Sequence, residues 1–565
     1  MKTNYFIALL LFLMSFSLLS QAPDIVLDQR QHHLIDRMDI QNPQGFTGFK
    51  PYNRSDVYKI IANDTTKIAG LDKANRDYLL KDGHHYHDLT DSTEAKSKKP
   101  VLKHFYTYPA DLFSYSSDKF KLSVNPLIDF KIGTDNNESR ENSLFLNTRG
   151  IEVEGSIDNK IGFYSSISDN QARFPFYVND RIYEFSAVPG QNFWKPFNGD
   201  GLDFFDAKGY FNFKPTESIR IKFGYDKNFI GNGYRSLILS DYGASYTHLR
   251  IDTKIWKLHY TNLYADLNAD LVTDASGAVR DSDEPLPRKL FVLHRLDWKI
   301  RKNLSLALFE SIIYGGDSTG AGAFDPNFFN PIIFYRAIEG NVGSGVGNAI
   351  LGLDAKWNFL NHFSLYGQLL IDEFLLSEFL ARDGWWANKF SGQIGLKYIN
   401  IGNVEGLDAQ LEYNSARPFT YSHTTKRGSY SHYNLPLAHP LGANFNELLG
   451  VLRYQPNYKL SLTGKIFFVR QGLDNEDGNF GSNILLPNST RIRFNAEDTG
   501  HSQLQGTLVT TTLVDLGVSY MLFHNLFAEL NVVFRNSLVE GEESQRLTFI
   551  SSGLRLNLPS RVHEF

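Results

Sequence analysis

The sequence predicts an all-β fold, a transmembrane antiparallel β-barrel of about eighteen strands behind a small N-terminal helical periplasmic subdomain. Three observations carry that expectation. Stretches of alternating apolar and polar residues fill the chain from about Lys121 to Phe565. The connections between them alternate between very short and mostly long. Aromatic residues reach 14%, with 44 Phe and 29 Tyr against 4 Met, an excess suited to the aromatic girdles of a barrel.

Ile219-Arg220-Ile221-Lys222-Phe223-Gly224-Tyr225-Asp226 shows the alternation, as do Trp256 to Thr261 and Phe390 to Tyr398. Side chains alternate faces along a strand, so each segment has one apolar and one wetter face. A soluble sandwich buries the apolar face against a second sheet, whereas a barrel in lipid turns it outward around a polar lumen. The connections decide between these. Strands are expected at about 121–135, 143–158, 160–174, 203–215, 219–230, 239–254, 256–270, 289–301 and 303–316. The series continues at 347–360, 363–378, 387–401, 403–416, 445–456, 460–471, 506–522, 526–539 and 546–558. Every second connection is a tight turn, such as Asp158-Asn159-Lys160, Asn361-His362 or Phe523-His524-Asn525, rich in residues that accept turn dihedrals. The others include 175–202, 271–288, 317–346, 417–444 and 472–505. Short periplasmic turns opposite long extracellular loops are the mark of an outer-membrane barrel.

Met1-Lys2-Thr3 and the apolar run from Tyr5 to Leu19 read as a signal peptide over 1–20, cleaved before Gln21. Residues 21–115 form the helical periplasmic segment and its linker, and 116–565 the barrel. Asn53 or Ser55 can cap a helix over Asp56 to Ile61, since their side-chain oxygens accept free first-turn amides. A second helix is expected from Leu71 to Lys81 and a shorter one around Leu34 to Met38, with Asp91 to Pro100 as linker. This subdomain either packs on the periplasmic mouth or serves as a docking handle. Strand polarity places Arg220, Lys222, Asp226, Lys257, Arg295, Asp297, Lys299, Lys397 and Lys465 on the lumen face, where they cross-link a plug or line a channel.

The absence of cysteine excludes disulfides, thiolate metal sites and a lipid-bearing cysteine. A net charge of −5 without a basic block gives nucleic acid no support as a partner. No Gly-x-Ser-x-Gly elbow precedes a helix; Gly343 to Gly347 matches its letters but lies in an expected outer loop. A Ser, His and Asp set assembled across strands is the remaining route to catalysis, and no catalytic residue, metal or cofactor is expected. His84, His85 and His87 read as a solvated loop rather than a metal tract.

The outer loops carry aromatic and polar residues of the kind that stack on sugar rings and satisfy hydroxyls. Trp385, Trp386, Arg417, Tyr421, His423, Tyr430, His432 and Tyr433 are the candidate glycan contacts, with plug and girdle packing as the competing role. A divalent ion between His423 and His432 is the weaker reading.

Leu34-Ile35-Asp36-Arg37, Pro51 to Asp56, the strand running into Arg417-Pro418-Phe419-Thr420-Tyr421-Ser422-His423, and Gly553 to Leu558 leading to Phe565 together carry a family resemblance. On these motifs the chain resembles capsule-assembly barrels of the Wzi type and their relatives in gliding Bacteroidetes, the RemB group. The resemblance implies a non-enzymatic outer-membrane barrel with a periplasmic helical bundle, serving gliding motility or surface polysaccharide organisation. Its expected partners are outer-membrane lipid, a surface polysaccharide, and motility or secretion machinery. A diffusion channel, a barrel enzyme and a structural partner of a secretion complex are the alternatives. The ending also fits the address read during barrel insertion, a terminal aromatic after an amphipathic last strand.

Overall fold

The computed structural model describes residues 21–62, 70–86, 96–97, 101–102, 104–136, 143–269, 287–315, 326–331 and 347–565. The expected signal peptide, His87 and the glycine-rich stretch before Gly347 lie outside them.

Among the described residues, eighteen antiparallel strands close a barrel. They are β1 (Phe120–Asp135), β2 (Leu144–Ile157), β3 (Ile161–Arg173), β4 (Gly201–Phe213), β5 (Ile219–Asp226) and β6 (Tyr246–Ile255). Next come β7 (Leu258–Asn268), β8 (Arg288–Arg301), β9 (Leu304–Tyr314), β10 (Gly347–Phe359), β11 (Phe363–Glu373) and β12 (Lys389–Tyr398). The ring ends with β13 (Leu407–Ala416), β14 (Phe445–Tyr454), β15 (Leu460–Leu473), β16 (Thr507–Phe523), β17 (Leu526–Val539) and β18 (Gln545–Leu556). Each strand pairs with its neighbours in sequence, and β18 closes on β1 through Leu556↔Ile128 to Phe549↔Asp135. Two short segments, Phe113–Ser116 and Lys195–Phe197, add edge pairings at the rims.

The wall is inverted relative to a soluble protein. Phe211 and Phe223 are 58% and 57% exposed on its outer surface, while Lys222, Arg250 and Arg295 are 1–2% exposed on the inner one. Burying a charge costs several kcal/mol unless it is paired, so this arrangement is stable only with hydrocarbon outside and counter-charges inside. Trp256, Leu360 and Phe523, all more than 70% exposed, mark the turn-side rim. Lys257, expected on the lumen face, instead sits exposed in the Trp256-Lys257 turn.

Among the described residues, three α-helices precede the barrel: α1 (Gln29–Gln41), α2 (Arg54–Ala62) and α3 (Gly70–Asp82). Asp28 caps α1 by accepting from the Gln31 amide, and Asn53 Oδ1 accepts from Ser55 N at the head of α2. The helices pack on the short turns, with Asn75 bonded to Gln455, Tyr78 to Asn525, and Arg30 to the Tyr458 carbonyl. They therefore close the barrel mouth on the side of the short turns.

Long loops enter from the other end. Residues 227–245 fold inward so far that Phe229–Ile230 pairs with Phe49–Lys50 of the N-terminal segment. Gly48 permits that approach, because a Cβ there would lie 2.4 Å from the Arg295 guanidinium. This inward excursion delays β6, expected from 239, to Tyr246. The expected run to 378 also stops early, at Glu373, and gives way to a short helix α5 (Leu376–Ala381) after α4 (Phe176–Phe185) in an earlier loop. Leu376 and Leu380 of α5 are 59% and 69% exposed, placing an apolar helix at the outer rim.

The last strand stops at Leu556, and residues 557–565 turn back into the lumen. Phe565 packs against Tyr177 and Tyr242 of the outer loops, at ring distances of 5.8 and 6.1 Å.

Candidate functional site

The seal on the short-turn side is an electrostatic latch. Arg37 of α1 donates from Nε and Nη2 to Asp72 of α3, the latter at 2.9 Å, and from Nη1 to both oxygens of Asp408 of β13, which also meets His33 Nε2 at 2.8 Å. Asp39 accepts from Lys356 at 2.7 Å, Asp36 pairs with Lys397, and Asp56 holds both Lys254 and Arg220. Lumen cations thus meet carboxylates on the helices, and a planar guanidinium between carboxylates adds direction to charge. The Lys397 ammonium holds the Asp36 carboxyl well below its ordinary range.

The outer seal is built from the Arg-Pro-Phe-Thr-Tyr-Ser-His motif. Tyr421 is 1% exposed, takes the Asp372 carboxylate on its amide, and donates its hydroxyl to the Leu237 carbonyl at 2.8 Å. Tyr430, equally buried, stacks on it and donates to the Ile238 carbonyl at 2.7 Å. Both tyrosines therefore clamp the inward loop instead of facing the medium. Phe419 and Tyr421 hold left-handed backbones, φ 64° and 73°, a costly conformation for bulky residues that tight packing sustains.

His432 is fully engaged: Nδ1 accepts from Asn268 N, and Nε2–H donates to the Ser245 carbonyl, each at 3.0 Å. Neither nitrogen is left for a metal, so the structure gives no support to an ion shared with His423. His423 is buried beside Thr424 and Lys389, and Tyr433 packs on His432.

Trp385, Trp386 and Arg417 lie partly exposed at the outer surface. Loop 383–388 joins loop 491–501 through bonds from Trp386 N to the Asp498 carbonyl and from His501 N to the Gly384 carbonyl. The Arg491 guanidinium lies 4.0 Å over the Trp386 ring, and Arg493 and Phe494 (48% exposed) stand beside it. Sequence reasoning missed these last three. Their only signal was the alternating Arg491-Ile492-Arg493-Phe494 in a long loop.

Between the two seals lies a polar chamber of about 260 Å³. Its lining includes Asp24, His32, Lys208, Arg235, Arg453 and Glu564. Burial drives His32, His432 and His563 down to about 3, so all three are neutral at pH 7. A histidine whose folded pKa is depressed supports the fold fully above pH 6.5 and withdraws that support as pH falls toward the folded value. The plug is accordingly expected to weaken between pH 6.5 and 4 by several kcal/mol, because each of these histidines withdraws roughly 1.4 kcal/mol per pH unit. Tryptophan fluorescence melts across that range check it. A melting temperature flat from pH 7 to 4 would contradict the assignment.

Comparison with solved structures gives a likeness of fold. The chain matches the Escherichia coli outer-membrane protein Wzi, described as a carbohydrate-binding β-barrel involved in group 1 capsule assembly. That match has a TM-score of 0.56 at 14% identity, over 95% of this chain and 100% of Wzi. Pseudomonas aeruginosa OprD aligns at a TM-score of 0.40 with 10% identity, over 77% of this chain and 95% of its own. Acinetobacter baumannii OccAB2 aligns at 0.41 with 9% identity, over 77% and 97%. No family model and no curated protein matches the sequence. The chain is an outer-membrane β-barrel of Wzi-like fold.

Proposed function

We propose that this protein is a plugged, non-enzymatic barrel that presents its outer loops to a surface polysaccharide, in the service of capsule organisation or gliding motility. The observation that carries the reading is the division of the outer loops into two parts. Tyr421, Tyr430 and His432 are occupied in closing the lumen, while Trp385, Trp386, Arg417, Arg493 and Phe494 remain partly or fully exposed, with the largely buried Arg491 held between Asp498 and the Trp386 ring. Indole faces and guanidinium groups side by side suit sugar rings bearing hydroxyls or carboxylates. The carbohydrate binding named for Wzi, a barrel of the same fold, supports this reading.

Trp385→Ala with Trp386→Ala is expected to weaken binding of purified barrel to extracted cell-surface polysaccharide at least tenfold, with insertion unchanged. Binding at the wild-type level would remove these rings from the site. The channel alternative is tested in the same preparation. A barrel filled from both ends stays electrically silent in planar bilayers, and steady wild-type conductance would favour a pore. Single-cell movement and capsule staining in a strain lacking the gene then separate the two cellular roles.

A further inference from the structure

His84 and His85 do not form the solvated loop expected from sequence. They sit in one turn after α3, buried beneath the segment 108–114 that leads into β1. His84 stacks on Tyr108 at a ring distance of 3.8 Å. Asp111 Oδ2 lies 3.7 Å from His84 Nε2 and 3.9 Å from His85 Nε2, and all three side chains are about 5% exposed. Ser114 Oγ stands 2.8 Å from His85 Nε2 and 3.5 Å from His84 Nε2.

We propose that His84, His85 and Asp111 form a binding site for a divalent transition metal of the zinc class, with the Ser114 hydroxyl or a water as fourth ligand. Tetrahedral zinc, with bonds of about 2.0–2.2 Å to imidazole and carboxylate, needs donor atoms roughly 3.3–3.5 Å apart. The two carboxylate–imidazole spacings lie within a few tenths of an ångström of that requirement, and the three donor atoms all lie within 4.8 Å of one another. Two imidazole donors select transition metals over calcium or magnesium, which take oxygen shells.

The carboxylate is held in place by its neighbours: Asp111 accepts from Ser123 Oγ and Asn125 Nδ2, and Lys121 Nζ donates to the His85 carbonyl at 2.6 Å. Arg54 is committed to Asp82 and Glu154. A cavity of about 60 Å³ adjoins the site, lined by Asp82, Asp111, Glu152 and Glu154 together with Arg30, Arg54 and Arg555. The ion would tie the end of α3 to the entry of the first barrel strand, fixing the plug across the intervening linker.

The test uses full-length protein in detergent, stripped with chelator and dialysed against Zn²⁺ alone. About one zinc per chain is expected, with X-ray absorption showing nitrogen and oxygen neighbours near 2.0–2.1 Å. His85→Ala and Asp111→Asn should each weaken binding at least tenfold, while His423→Ala leaves it unchanged. Heat-modifiable migration of every variant establishes that the barrel is assembled. Zinc absent from assembled wild type overturns the proposal, as does zinc retained at full affinity in both variants.

Discussion

Asp408→Ala is expected to release the N-terminal helices from the barrel mouth while leaving the barrel assembled. Asp408 is nearly fully buried and is shared by Arg37 and His33, so its loss leaves a buried guanidinium with Asp72 as its remaining carboxylate partner. It also frees the Asn400 amide, which donates to Asp408 at 2.9 Å. Removing one partner of a buried ion pair costs about 3–5 kcal/mol, mostly through the uncompensated charge left behind. That sum rivals the docking energy of a small subdomain but is far below what is needed to unzip a ring of paired strands. The readout is limited proteolysis: cleavage within residues 29–82 should accelerate by on the order of a hundredfold, about what 3 kcal/mol gives. Heat-modifiable migration should not change. Conductance should stay absent, because the Tyr421–Tyr430 clamp still closes the outer end. Proteolysis at the wild-type rate would mean that the remaining contacts, Asp39–Lys356 and Asp56–Lys254 among them, suffice without the triad.

The wall of this barrel was legible in the sequence because a two-residue period and a turn every second connection are local signals. β17 spans Leu526–Val539, as the alternation predicts. Where the reading failed, a local pattern had a non-local cause. The stretch from Leu239 reads as the start of a strand, but Leu239 is fully buried, with Leu237 and Ile238, in a loop packed inside the lumen. Apolar alternation is the same whether the dry surface is lipid or a plug. The site residues show the same ambiguity in chemistry. Tyr421 and Tyr430 are the residue types that sugars require and also those that a buried clamp requires, and only the position of the Leu237 and Ile238 carbonyls separates the roles. His84 and His85 read as a solvated tract because Asp111 and Ser114 meet them only in the fold.

The chain end offers the sharper contrast between two physical roles. If Phe565 acts as the signal for barrel insertion, its removal should abolish assembly. The structure places it elsewhere in the finished molecule, ringed by Tyr177, Tyr242 and the Arg181 guanidinium, with its carbonyl taking a bond from Arg535. One residue earlier, Glu564 binds Lys465, Tyr234 and Arg235, and His563 offers its carbonyl to Tyr177 at 2.7 Å. Tyr234 and Arg235 belong to the inward loop, and Tyr177 to α4, so the tail is a pillar on which the outer plug rests. Deleting residues 560–565 leaves Lys465 with Asp515 as its remaining carboxylate and uncovers an aromatic cluster. Loss of a buried aromatic alone costs about 3–5 kcal/mol. The truncated chain is therefore expected to insert normally, yet to lose the outer seal, with the loops between β3 and β6 becoming cleavable at the cell surface. Combined with Asp408→Ala, which opens the other end, it should conduct ions where each change alone does not. Failure of the truncated chain to reach the membrane would instead assign Phe565 to assembly, and a silent double variant would show that the segment around Phe49–Lys50 closes the lumen unaided.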